Sequence, residues 1–341
     1  MDIIARNVHE ALPRGLKAIK EYGLPRGSRN GDVLVMPEPV MTIFKKPTER
    51  VMFHKERDAN PFFHFFESLW MLAGRNDVAF VSQFVKRMAD FSDDGKTFNG
   101  AYGFRWREHF GNDQVQIICE RLRMNRDDRR CVLSMWDGSH DLGYDSKDLP
   151  CNTQAFFGVN AFGKLDMTVC NRSNDMIWGL YGANAVHFSV LQEYMATKIG
   201  VPVGRYFHLS NNYHAYLKTY QPLADAVLVE ASPYDHISPF YLDTGIQDSM
   251  TLWDEDLETF FNETAEMANG DFQTPFFNDV VVPLWEAHRS YREQTGEKRY
   301  LEAIGILDSC YAMDWRMACK DWITVRLDRF RVAQDAGVQH G

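Results

Sequence analysis

The run Leu149-Pro150-Cys151-Asn152 leads through a β-like stretch to Asn171-Arg172-Ser173-Asn174-Asp175 and then to Gly182-Ala183-Asn184. Gln154 to Val159 and Leu165 to Cys170 read as a hairpin around Asn160-Ala161-Phe162-Gly163, so the region reads as sheet. That hairpin can bring Arg172, at the end of the second strand, close to Cys151 at the start of the first. A thiolate is a nucleophile where cations or dipoles favour it, and an arginine fork matches phosphate oxygens. Cys151 also has a plain reading, as a buried small hydrophobe beside a strand.

Outward from this segment, residues 1–24 read as an amphipathic helix with Val8, Leu12, Leu16 and Ile19 on one side. Residues 32–54 read as strands, at Val33–Met36, Val40–Phe44 and Val51–Phe53. Helical patterns cover Pro61–Ala73, 77–91 and 184–199, the last closed by Gly200 and Pro202. Cys131 to Trp136 reads as a short buried strand, and Tyr206 to Leu209 as another. Beyond Tyr220 the pattern is mostly helical, with Ile304, Leu307, Tyr311, Trp315, Trp322 and Phe330 as the packing stripe of a last helix. The expected fold is α+β, with residues 1–221 as the catalytic domain and 222–341 as a helical extension packed on it.

A net charge of −10 argues against a nucleic acid polymer as partner, because that requires clustered Lys and Arg. A small anion needs only a few local arginines. No window approaches a membrane span and no signal-like apolar run opens the chain, so a cytoplasmic location is expected. The six cysteines are scattered without a C-x-x-C pair, which gives no metal site and fits a reducing compartment. Gly95-Lys96-Thr97 ends like a phosphate loop, but Asp90 stands where the leading glycine belongs.

Further candidates lie outside the opening run. Glu67, inside the apolar stretch Phe62 to Leu72, is either a desolvated carboxylate suited to moving protons through water or a helix-surface acid. His214 and Tyr216, two apart in an extended segment, point the same way and can share one ligand hydroxyl or form a structural pair. Arg129-Arg130 is either a solvated charge pair or a second phosphate clamp.

In their order along the chain, these pieces resemble the thymidylate synthase family, which includes phage pyrimidine-nucleotide hydroxymethylases. Arg29-Asn30-Gly31 resembles the family's N-terminal phosphate loop, and Glu67 in Phe66-Glu67-Ser68-Leu69-Trp70 its glutamate. Tyr102-Gly103-Phe104-Arg105-Trp106-Arg107 is similar to the Tyr-Gly-x-x-Trp-Arg segment. Leu149-Pro150-Cys151 resembles the nucleophile motif, Arg172-Ser173-x-Asp175 the nucleotide-binding run, Gly179-Leu180 with Asn184 the base-reading segment, and His214-x-Tyr216 the sugar-binding pair. The resemblance implies a large mixed sheet packed with helices, catalysis by Cys151, Glu67, Tyr102 and Asp175, and 5,10-methylenetetrahydrofolate as co-substrate. It also implies a pyrimidine deoxynucleoside monophosphate as substrate, and a homodimer in which Arg129 and Arg130 cross to the partner's phosphate site. In this scheme Arg172, Arg129 and Arg130 hold phosphate and help keep Cys151 ionised.

Two departures bear on the product. Asn152 replaces the histidine usual after the nucleophile, and Asp148 stands where synthases carry an apolar residue that helps exclude water. A polar group there, with a C-terminus that lacks the usual short lid, favours water as the final reactant on the folate side and hence a hydroxymethyl product. Asn184, rather than Asp, implies uracil as the base and dUMP as the substrate, with Ser173 fitting a deoxynucleotide. The expected activity is therefore dUMP hydroxymethylation, in the host cytoplasm for a phage-encoded chain. Ordinary thymidylate synthesis, dCMP hydroxymethylation and an inactive nucleotide- or RNA-binding relative are the alternatives.

Overall fold

The computed structural model describes residues 1–227, 231–242, 249–262 and 272–338. Parts of the expected C-terminal extension, residues 228–230, 243–248, 263–271 and 339–341, lie outside the described residues. The chain forms two compact units, one of Met1–Arg50 with Phe63–Ser232 and one of Val51–Phe62 with Pro233–Gly341. The division therefore falls at Pro233 rather than 222, and an internal segment joins the second unit.

In the first unit the chain opens with a strand, β1 (Asp2–Ala5), and not with the expected helix, because Ile3 and Ala5 alternate inward. The Asn7 side chain then accepts the Glu10 N–H at 3.0 Å and caps α1 (Val8–Tyr22). Strands β2 (Leu24–Arg26), β3 (Val33–Val35) and β4 (Val40–Phe44) follow, but Val51–Phe53 belongs to neither sheet. Helix α2 (Pro61–Leu72) is apolar nearly all round. The helix expected over 77–91 is a single turn, α3 (Val78–Val81), capped by Asp77, with a 3₁₀ stretch at Lys86–Phe91. Then come α4 (Tyr102–Arg107), α5 (Gln114–Met124), β5 (Val132–Ser134) and the hairpin β6 (Asn152–Val159) and β7 (Leu165–Asn171). Next are β8 (Asn174–Asp175), a π-helical segment Met176–Asn184, α6 (Ala185–Ile199), β9 (Val203–Ser210), β10 (Tyr213–Tyr216) and α7 (Leu217–Tyr220).

Among the described residues ten strands make two sheets, a mixed six-stranded one in the order β1-β4-β9-β7-β6-β5 and a four-stranded one in the order β2-β3-β10-β8. The stretch expected as a buried strand is the edge strand β5, with Val132 39% exposed. One face of the large sheet is buried against helices, chiefly α6, whose Phe188 stands 6.5 Å from Tyr206 of β9. Gln192 of α6 donates to the carbonyls of Leu165 and Arg205, which fixes the helix on the sheet. Gly200 ends α6 with φ +78°, a left-handed cap conformation that glycine adopts without cost.

The described residues of the second unit are mainly helical, with α8 (Ser249–Asn262), α9 (Val282–Glu293), α10 (Lys298–Ile306) and α11 (Met313–Val338). Trp253, Phe276, Phe277, Phe260 and Trp285 pack ring against ring in its core. The expected single last helix is two helices, because Cys310 turns extended and the Tyr311 N–H leaves to donate to the Asp279 carbonyl. Tyr311 is consequently exposed. Among the described residues no helix is long and apolar enough to cross a membrane.

Candidate active site

Cys151 stands at the entry to β6, where Asn152 pairs with Asn171 of β7. The hairpin brings Arg172 back to it: the Arg172 N–H donates to the Cys151 carbonyl at 2.9 Å. The guanidinium folds over the same loop, donating to the Pro150 carbonyl at 3.0 Å and the Leu149 carbonyl at 3.2 Å, with the Trp136 ring 5.5 Å away. Burial pushes the Cys151 thiol above its usual pKa; the Arg172 charge pulls it down, and the Asp148 charge adds to the rise. Arg172 thus acts on the thiol in the direction expected, while desolvation outweighs it.

Tyr102, at the start of α4, accepts the backbone N–H groups of Cys151 at 3.3 Å and Asn152 at 3.2 Å. Burial, then the neighbouring Cys151 charge, pushes its phenol well up, so it keeps its proton to give. Asp148 accepts the Gly100 N–H at 2.7 Å. Burial raises its pKa, with the charges of Asp93 and Glu67 adding to the rise while the Gly100 bond and Arg105 oppose it. Glu67 is buried on α2, its Oε2 3.1 Å from Nε2 of His187. The loop that carries Asp148 is fixed by Arg105, which is fully buried and bonded to Asp141 and to the carbonyls of Met135 and Asn99.

Behind the nucleophile, four buried amides join in series. Asn171 Nδ2 donates to Asn152 Oδ1 at 3.0 Å, Asn152 Nδ2 to Asn184 Oδ1 at 3.2 Å, and Asn184 Nδ2 to Asn174 Oδ1 at 3.4 Å. Asn174 Nδ2 ends the series 2.9 Å from both His208 Nε2 and Ser210 Oγ. Asn184 is held at the end of the π-helical segment, which is kinked at Gly182. A Cβ on Gly179 would stand 2.8 Å from Asn174 Oδ1, so a side chain there would displace the series.

The four-stranded sheet gathers most of the other candidates. His214 and Tyr216 lie on β10 with their rings 5.4 Å apart, and His214 pairs with Asp175 of β8. Tyr216 pairs with Val33 of β3, just beyond the turn that carries exposed Arg29. Ser173 is half-buried beside Arg172. Asp175 accepts the Ile177 N–H at 3.0 Å, and Trp178 next to it is 45% exposed. A carboxylate beside an exposed indole face suits the N–H groups and flat ring of a pterin. Arg129 and Arg130 lie away from this cluster's hydrogen bonds: Arg130 is clamped to Asp128 at 3.0 Å and Arg129 is exposed.

Sequence reading missed Asn171, Asn174, His187 and His208. For His187 a signal existed, since it is one helical turn after Asn184. For His208 the signal was its alternation on β9 with inward Tyr206 and Ser210.

The architecture and this cysteine-arginine-amide cluster are those of a nucleotide-modifying transferase. Residues 60–238 match the family model "Thymidylate synthase", and the chain belongs to that family. It is 47% identical to the deoxyuridylate hydroxymethyltransferase of Pseudomonas phage M6 over 99% of each chain. It is also 42% identical to the deoxyuridylate hydroxymethyltransferase of Bacillus phage SP01, over 58% of this chain and 53% of that one. A third relative, a putative thymidylate synthase of Methanothermobacter marburgensis, is 38% identical over 37% of this chain and 54% of its own. The protein is a pyrimidine C5 one-carbon transferase, and methylenetetrahydrofolate is the co-substrate.

Proposed function

We propose that the chain transfers a one-carbon unit to carbon 5 of dUMP and completes the reaction with water, giving 5-hydroxymethyl-dUMP. The observation that carries the water step is Asp148, a half-buried carboxylate three residues before the nucleophile that accepts the Gly100 N–H at 2.7 Å. The two phage relatives named for deoxyuridylate support the same reading.

Cys151 adds as thiolate to carbon 6 of the ring, which makes carbon 5 nucleophilic. Substrate phosphate is held by Arg172 and Arg29, and the thiol proton leaves through ordered water toward Glu67, while Tyr102 keeps its own proton and holds the Cys151 and Asn152 N–H groups. Methylenetetrahydrofolate supplies the one-carbon unit, with Asp175 and Trp178 placed to hold its pterin. Asn184 reads the ring edge, Ser173 lies along the nucleotide, and His214 with Tyr216 binds the sugar hydroxyl. Glu67, oriented by His187, relays protons at the base. Loss of the carbon-5 proton to ordered water breaks the bond between the new carbon and the folate nitrogen, which releases tetrahydrofolate and leaves an exocyclic methylene on the ring. Asp148 then takes a proton from the water that adds to this methylene carbon. Expulsion of Cys151 restores the ring.

The active form is proposed to be a homodimer. A single cross-strand row, Ile4–Ile43–Phe207–Thr168–Phe156–Val132, runs in register across all six strands on the face opposite α6. Ile4, Phe156 and Val132 are each more than a third exposed. Such a mainly apolar row, interrupted only by Thr168, supports an association surface, and Arg129 and Arg130 lead into β5 at its rim, where they can reach a partner's phosphate site. Pro233–Gly341, with the internal segment Val51–Phe62, is proposed as a mainly helical extension to this catalytic core, and the host cytoplasm as the place of action.

Mass spectrometry of the nucleotide formed from dUMP and methylenetetrahydrofolate tests the reading. A hydroxymethylated product is expected; stoichiometric dihydrofolate with a methylated nucleotide would overturn it in favour of thymidylate synthesis.

A further inference from the structure

Asn184 cannot by its composition alone distinguish two pyrimidines. A carboxamide turned one way offers N–H to an acceptor and C=O to a donor, as uracil's O4 and N3–H require. Turned by half a revolution it offers the reverse, which suits the amino group and N3 of cytosine. Something must hold its orientation. Among the described residues, the side chains that hydrogen-bond Asn184 are themselves asparagines, Asn152 and Asn174, and each could turn with it.

We infer that His208 is the positioning residue that sets the orientation of the Asn184 amide, acting through Asn174, and so selects the uracil-type ring edge. The inference rests on the proposed reaction. His208 is wholly buried on β9, with Nε2 2.9 Å from Asn174 Nδ2 and Nδ1 2.6 Å from the Tyr206 hydroxyl. Burial brings its pKa down to about 3, so the ring is neutral and one nitrogen accepts while the other donates. With Nε2 accepting, Nδ1–H donates to Tyr206. Asn174 must then turn its Nδ2 to His208 and its Oδ1 to Asn184. Asn184 gives Nδ2 to that oxygen and receives Asn152 Nδ2 at its own Oδ1, and Asn152 in turn accepts from Asn171. One tautomer thus fixes the polarity of four amides.

Ser210 cannot do this. Its hydroxyl, 2.9 Å from Asn174 Nδ2, can accept or donate and serves either orientation equally. Gly179 completes the arrangement by leaving room for Asn174 Oδ1.

The first test is nitrogen-15 NMR of the His208 ring in the full-length protein at neutral pH. A protonated Nδ1 and a bare Nε2 are expected; a protonated Nε2 or an imidazolium overturns the inference. The second compares dUMP with dCMP in kcat/KM. His208→Leu is expected to lower the preference for dUMP about tenfold, ~1.4 kcal/mol. His208→Gln, whose Oε1 can still accept from Asn174, and Ser210→Ala are expected to keep it. Unchanged preference in a folded His208→Leu variant, or its loss in Ser210→Ala, counts against the relay. Should His208→Leu not fold, the ring tautomer and the other two variants decide for or against the relay. Should the wild type turn over neither nucleotide, the proposed reaction fails, and calorimetric binding of dUMP and dCMP to the same variants reads the relay instead.

Discussion

Arg172 and Cys151 are joined through the backbone, the Arg172 N–H donating to the Cys151 carbonyl at 2.9 Å. The guanidinium is tied to carbonyls of the same loop, so the positive charge nearest the thiol is fixed before any substrate arrives. It is nevertheless too weak to offset burial.

Alkylation of the free protein by iodoacetamide should therefore follow a thiol pKa above the ordinary value of about 8.5. Arg172→Ala removes the one charge favouring the thiolate, and its alkylation profile should move to still higher pH. A downward movement would show that the guanidinium does not act on the thiol.

Asp148 keeps its proton to a higher pH than an ordinary carboxylate, because burial disfavours its charged form. As the base for water it works deprotonated, so hydroxymethyl formation should rise with pH through that raised pKa. Asp148→Asn should lose this acidic limb and fall about 10²-fold in hydroxymethyl product. Asp148→Leu should divert the remaining turnover toward the methylated nucleotide, read by mass spectrometry.

Asn184→Asp offers acceptors to both Asn152 and Asn174, so Asn174 must turn its amide to donate. The new carboxylate suits cytosine's amino group, and kcat/KM should move from dUMP toward dCMP. Gly179→Ala should raise the KM for dUMP with little change in folding, because the added methyl presses on Asn174 Oδ1 at 2.8 Å.

Dimer exchange tests the shared site. Phe207→Asp, in the middle of the cross-strand row, should sediment as a monomer and lose activity. Mixing an inactive Cys151→Ser protein with an inactive Arg129→Ala/Arg130→Ala protein should restore about a quarter of wild-type activity, since half the dimers are mixed and one of their two sites is complete. No recovery on mixing would place each site within one protomer.

Arg105 and Asp141 form an ion pair with both side chains fully buried. Asp141→Ala strands the guanidinium, and urea unfolding should register a loss of about 3–5 kcal/mol. Burial alone would raise the Asp141 pKa, but the Arg105 bonds and the Asp137 N–H bring it below its usual value. Its contribution is thus complete above the unfolded pKa of about 4 and is lost as pH falls through the lower folded value.

The hairpin, the helix at 185–199 and the meeting of Cys151 with Arg172 were legible because strand alternation and helical period are local properties of the chain. The family likeness, and with it the reaction class, came from the order of motifs between Arg29 and Tyr216. The opening strand was missed because Ile3 and Ala5 fit a helical face as well as an alternating one. The last two helices were merged because the break at Cys310 depends on a bond from Tyr311 to distant Asp279.

By itself the sequence determined which groups the site contains: a thiol, arginines, acids and amides at fixed places along the strands and helices. The tertiary structure alone decided their states. Burial set against one guanidinium raises the Cys151 thiol pKa, and a neutral His208 orients amides at 174, 184 and 152 that no spacing rule connects. Desolvation and hydrogen-bond polarity are sums over neighbours brought together from remote parts of the chain, and those neighbours exist only once the sheets have formed.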